Sequence, residues 1–142
     1  MSLRAVTHES GRHNRWCGPA AVSVLTGMTA EDAARAIRRV TGKTQCTRVK
    51  LGDLLRALRQ QGLVLNAVGI WSRGTGPTTA AWLKTRRQRT RATDTYLVAQ
   101  TTHFIVVRGD MAVDNQTGKP VPLAKITGRR ARVAAAYLVL NP

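Results

Sequence analysis

Asn14-Arg15-Trp16-Cys17-Gly18-Pro19-Ala20-Ala21-Val22-Ser23-Val24-Leu25-Thr26-Gly27 is the stretch on which the rest of the chain turns. Pro19 suits the first turn of a helix, because its ring fixes φ near the helical value and its missing N–H would have no intrahelical acceptor there. Ala20, Ala21, Val22, Val24 and Leu25 continue an apolar helix, and Gly27 supplies a left-handed cap. Cys17 therefore stands at the amino end, where the helix dipole and unpaired backbone N–H groups favour negative charge on a sulfur. The same N–H groups can receive the oxyanion that forms when a nucleophile attacks a carbonyl. Gly18 is expected to leave room for a substrate to reach the sulfur. A cysteine so placed is a nucleophile only if a base accompanies it, since free cysteine is more often a small buried hydrophobe.

Upstream, residues 1–13 are polar and basic with little periodicity, and are expected to form an arm in which His8 and His13 are solvated rather than catalytic. Downstream, Thr29 followed by Asp32 gives a capping-box-like start. The second helix then carries Ala33, Ala34, Ile37 and Val40 on one face, Arg38 and Arg39 near its carboxyl end, and Gly42 as its stop. A polar connection holds Cys46, to which only a packing role is assigned. A third helix is expected from about Lys50 to Gln61, with Leu51, Leu54, Leu55 and Leu58 aligned and Gly62 ending it.

The pattern then changes. Leu63 to Ile70 reads as a strand, Trp71 to Pro77 as a loop, and Thr78 or Thr79 as the cap of a short helix through Leu83. The run from Lys84 to Arg91 is the densest positive patch, read as a helix end and loop. Tyr96 to Gln100, Thr102 to Arg108, Met111 to Asp114 and Val133 to Leu140 read as strands, with Lys119 to Pro122 interrupting the ladder. Helices first and a mostly antiparallel sheet afterwards define an α+β fold, expected as one domain over residues 1–142.

One turn decides where a base could sit. Gly109-Asp110 between two apolar runs is a two-residue hairpin signal with glycine first. That register pairs Arg108 with Met111 and Val107 with Ala112, which puts His103 and Asp114 on one face as diagonal neighbours. A carboxylate there can fix the tautomer and direction of an imidazole. A loop longer by one residue would promote Asn115 instead.

Composition bounds the rest. The 142 residues, 43% hydrophobic, suffice for a real core. No apolar run approaches a membrane span and the amino end lacks a signal pattern, so no integral membrane association is expected, and the location read is the cytoplasm or a phage particle. Two cysteines without metal-ligand spacing imply neither a disulfide framework nor a metal site, and no cofactor is expected. The 23 Lys and Arg against 7 Asp and Glu give a net charge of +16, and 18 of the 23 are arginine. Such a surface attracts polyanions. Arg86, Arg87, Arg89, Arg91, Arg129, Arg130 and Arg132 are the candidates for contact with nucleic acid or another polyanion.

Cys-Gly-Pro-Ala-Ala at 17–21, a leucine-rich helix ending in Arg-Gln-Gln-Gly, and His-Phe-Ile-Val-Val at 103–107 followed by Asp114-Asn115 resemble the papain-like cysteine peptidases. Within them they are most similar to the compact bacterial subgroup that includes bacteriocin-leader-processing peptidases. The resemblance implies Cys17 as nucleophile, His103 as general base and acid, and Asp114 as the orienting residue, acting on a peptide or related amide. The family usually carries a glutamine upstream of the cysteine to bind the oxyanion, where this sequence has Gly11. Asn14 is the substitute candidate, with Gln100 and His13 behind it. The alternative is a papain-like scaffold, weakly active or inactive, that serves as a basic nucleic-acid-binding or phage assembly protein.

Overall fold

The computed structural model describes residues 3–8, 16–86, 93–126 and 128–141. Three helices come first, α1 (Cys17–Thr26), α2 (Ala30–Thr41) and α3 (Leu51–Gln60). The strand β1 (Leu65–Ile70), the helix α4 (Thr79–Arg86) and the strands β2 (Thr95–Gln100), β3 (Phe104–Arg108), β4 (Met111–Val113), β5 (Val121–Pro122) and β6 (Val133–Val139) follow. The six strands form one sheet in the order β1-β6-β2-β3-β4-β5, and every neighbouring pair is antiparallel. The expected α+β architecture, helices packed on an antiparallel sheet, is what the chain adopts.

The local signals act as expected at the helix ends. Gly27 and Gly42 hold left-handed conformations that L side chains resist, and their N–H groups close the last turns of α1 and α2 on Ser23 and Arg38. Thr29 accepts a hydrogen bond from the Asp32 N–H, satisfying one of the amide groups orphaned at the start of α2. In the hairpin, Gly109 has φ 58 and the register is Arg108 with Met111, Val107 with Ala112 and Val106 with Val113.

Both faces of the sheet are covered, so the central strands read as continuous apolar runs. Alternate residues of β2 and β3 separate cleanly: Leu97, Ala99, Phe104 and Val106 join Val22, Leu25, Ile37, Leu54 and Leu58 in a core under α1–α3. Tyr96, Val98, Ile105 and Val107 join Trp82, Leu83, Leu123 and Ile126 on the other side.

Three expectations are revised. Lys119 to Pro122 does not break the ladder, because Val121 and Pro122 form the short strand β5 against β4. A proline is tolerated there because β5 lies at the edge of the sheet, where an absent N–H costs no interior bond. The amino-terminal arm is partly structured: Leu3 and Val6 pack against the core, Arg4 donates to the carbonyls of Val24 and Leu25, and Thr7 bridges to Thr29. The fourth helix runs on to Arg86 rather than stopping at Leu83. Among the described residues no helix is long and apolar enough to cross a membrane.

Candidate active site

The first turn of α1 brings Cys17 to the end of a groove of about 850 Å³. Trp16, at the cap position, makes no capping hydrogen bond through its side chain. Cys17 is half-buried and unbridged, and its neighbour Gly18 is fully packed. The expectation for Gly18 needs correction: a Cβ there would stand 3.0 Å from Val49 Cγ2 and 3.6 Å from Ile37 Cδ1. The glycine lets the helix tip lie against the chain entering α3; it does not open the way to the sulfur.

Across the groove, Thr101 and Thr102 form the turn between β2 and β3, closed by the Gln100 N–H on the His103 carbonyl at 2.8 Å. His103 follows that turn, and its Nε2 lies 2.8 Å from Asp114 Oδ2. The ring and Cys17 line the same groove, and the sulfur is among the influences on the imidazole. With Nε2 engaged by the carboxylate, Nδ1 is the nitrogen left to face the sulfur. Burial on its own would lower the imidazole pKa, but the bond to Asp114 and the influence of Cys17, with the negative charge of both, outweigh it, and the value rises to about 9.

Asp114 is held more firmly than hairpin register alone requires. Its side chain has no solvent exposure, and Oδ1 accepts from the backbone N–H groups of Gln116 and Thr117, each at 2.9 Å. The Thr117 hydroxyl accepts in return from the Asp114 N–H at 3.2 Å. Burial pushes the carboxyl pKa up, yet the bonds to His103 and to these amides bring it below the ordinary value. The ladder ends at Val113 because Asp114 turns into this local motif instead of pairing with Ile105. Asn115 lines the groove, and Asp114 rather than Asn115 contacts the ring.

The other candidates scatter. Asn14, Gly11 and His13 lie outside the described residues. His8 sits 3.7 Å from Glu31 at the start of α2. Gln100 is unsuited to bind an oxyanion, since its amide nitrogen donates to Thr79 Oγ1 at 2.8 Å and to the Gly128 carbonyl at 2.9 Å, ties among residues packed beside α4. Cys46 is buried, with its sulfur on the Ala34 carbonyl, and burial raises its pKa against the opposing pull of Arg38. Of the basic candidates, Arg86 lies over the Tyr96 ring at 5.9 Å and Arg132 donates to the Gly76 carbonyl. Arg129 and Arg130 are exposed, and Arg87, Arg89 and Arg91 lie outside the described residues. Among the described residues no group of three His, Cys, Asp or Glu could hold a metal ion.

Sequence reasoning missed the loop that faces the imidazole. Arg48, Val49, Lys50 and Leu51 line the groove together with Trp16. Arg48 has φ 53, the only positive value at a non-glycine among the described residues. No local signal marks an arginine for that conformation. The Asp114-to-Thr117 spacing, by contrast, is a legible turn motif.

The order of elements, a sheet covered on both faces, and a helix-tip cysteine facing a strand-end histidine define a papain-like α+β fold. No protein-family model matches the chain, and no curated protein matches it. Among solved structures it is similar to a double glycine motif protease from an AMS/PCAT transporter, crystallised in complex with the leader peptide. The TM-score is 0.53 at 16% identity, over 98% of this chain and 94% of that one. At that identity the likeness establishes a shared fold, and it spans nearly the whole of both chains.

Proposed function

We propose that the protein is a thiol peptidase that cleaves a peptide or related amide bond through Cys17, His103 and Asp114. The observation that carries this reading is the His103 ring, hydrogen-bonded to a fully buried carboxylate and sharing one open groove with Cys17 at the tip of α1. The similarity in fold to a protease bound to a leader peptide supports a peptide as substrate.

In this mechanism His103 holds the proton released by Cys17, and the thiolate adds to the substrate carbonyl. Charge on the carbonyl oxygen is met by the backbone N–H groups of Cys17 and Gly18, which as the first residues of α1 have no acceptor within the helix. The tetrahedral adduct collapses as His103 gives its proton to the departing amine, leaving a thioester on Cys17. Water then loses a proton to His103 as it attacks the thioester, and the acid product and free thiol are released. Asp114 keeps the imidazole turned toward the sulfur and offsets its positive charge throughout.

The test is alkylation of Cys17 by a thiol-directed electrophile at neutral pH, followed by mass spectrometry. Labelling is expected at Cys17 rather than Cys46, absent in Cys17→Ala, and slowed roughly 100-fold in His103→Ala. Equal rates in the parent and in a folded His103→Ala variant would refute the pairing, and with it the peptidase.

A further inference from the structure

We propose that Arg48 and Lys50 form a subsite for a carboxylate side chain of the substrate, so that the groove selects a peptide with Asp or Glu near the bond that is cut. The proposal rests on the peptidase reading above and adds a specificity to it.

Position comes first. Val49 packs on the core beside Gly18, the residue next to Cys17, so closely that a Cβ there would come within 3.0 Å of its Cγ2. Arg48 and Lys50 flank it, are exposed, and line the same groove as Cys17 and His103. Two cations are thus fixed beside the helix tip by the packing of the residue between them.

Their surroundings leave both cations open to an anion. No Asp or Glu among the described residues lines the groove. Among the described residues neither cation has a carboxylate partner; Asp53, the acid in the first turn of α3, is engaged by Arg56. The cations themselves stand next to apolar Trp16, Val49 and Leu51 in the lining, while uncharged polar groups, Thr101, Thr102 and Asn115, also line the groove. A charge beside apolar residues of this kind faces less competition from water than one on an open surface, so a substrate carboxylate gains more there.

Backbone conformation points the same way. A chain with 18 arginines will show them on any exposed surface, and abundance alone explains Lys50. It does not explain an arginine at φ 53, where glycine or asparagine would sit without strain. Strain of that kind persists where the side chain or its direction is used. The guanidinium can take a carboxylate with two parallel hydrogen bonds, which an ammonium cannot, so Arg48 is assigned the orienting contact and Lys50 the added charge.

The test uses the full chain and peptidyl vinyl sulfones of otherwise fixed sequence, in which one residue at a time is Glu, Gln or Lys. Rates of Cys17 modification are compared within each protein. At one position the Glu probe is expected to react about tenfold faster than its Gln counterpart, with the ratio shrinking as salt is raised. In Arg48→Gln/Lys50→Gln the ratio is expected near one, and in Arg48→Glu/Lys50→Glu the Lys probe is expected to lead. Arg39→Gln/Lys43→Gln, a change of equal charge outside the groove, should leave the ratio as it was. A Glu-to-Gln ratio of one at every position in the parent, or a preference that survives the double substitution in a folded protein, would overturn the subsite while leaving the peptidase standing. Failure of every probe to modify Cys17 in a His103-dependent way would instead remove the peptidase and the subsite together.

Discussion

The two walls of the groove are built by opposite means. On the sheet side His103 follows a two-residue turn closed by a backbone bond, and its ring is held by a carboxylate that is itself held by two amides. On the helix side the segment from Arg48 to Lys50 lies over the tip of α1 through the side chain of Val49, with exposed cations on either side. A ring that must stay aligned through several proton transfers needs its tautomer and direction fixed by bonds that cannot slip. A wall that only chooses among substrates can be held by a single apolar contact and vary its exposed residues. Under the proposed function, the contrast gives proton transfer to the first wall and choice of substrate to the second.

The strongest way to break that contrast is to loosen the sheet wall. Asp114→Ala removes the partner of His103 and strands the N–H groups of Gln116 and Thr117 in a buried place. We expect a loss of about 3 kcal/mol in chemical denaturation and a fall of roughly 100-fold or more in Cys17 reactivity. Asp114→Asn keeps an oxygen for the two amides and should recover most of the stability but not the reactivity. Lys50→Ala on the opposite wall should change stability by less than about 0.5 kcal/mol. Comparable losses from Lys50→Ala and Asp114→Ala would erase the distinction.

The pH response sharpens it further. His103 has its folded-state pKa raised from 6.5 to about 9, so the folded form binds this proton more tightly than the unfolded chain does. The resulting stability is fully present below about pH 6.5 and is lost as pH rises through about 9. Peptide cleavage should decline over the same upper range, because the departing amine needs the imidazolium proton. An NMR titration of the three histidines, assigned with His103→Gln, should find one near pH 9. In Cys17→Ala that value should drop, since two of the influences that raise it come from the cysteine. A midpoint unmoved by the loss of Cys17 would mean that the sulfur and the ring do not interact.

Much of the sheet wall is legible in the sequence. Gly109-Asp110 sets a hairpin register, and alternation then brings His103 and Asp114 together without knowledge of any other strand. Cys17 is legible for a similar reason, since Pro19 and Gly27 bracket a helix and place the cysteine at its start. What could not be read depends on contacts between distant segments. Nothing local says that β6, the last strand, inserts between β1 and β2, or that Gln100 spends its amide on Thr79 and Gly128 instead of on the groove. The role of Gly18 was misjudged because the residue it accommodates, Val49, is remote in the chain. The Arg48 conformation is a tertiary outcome too, imposed where the connection must pass over α1.

The smallest effect falls on Arg48. An L side chain in the left-handed region costs about 1–2 kcal/mol, and glycine avoids that cost while giving up about 0.5–1 kcal/mol through its freer unfolded chain. Arg48→Gly should therefore gain up to about 1 kcal/mol, read as a rise of a few degrees in Tm. Arg48→Ala keeps the strained backbone and should gain nothing, so comparing the two separates conformation from loss of charge. If the helix wall exists to choose substrates, Arg48→Gly should be the more stable protein and the less discriminating one, the direction expected when a strained residue is kept for its function. A destabilised Arg48→Gly would show that the arginine braces the loop over α1, and the two walls would then differ in sequence position only.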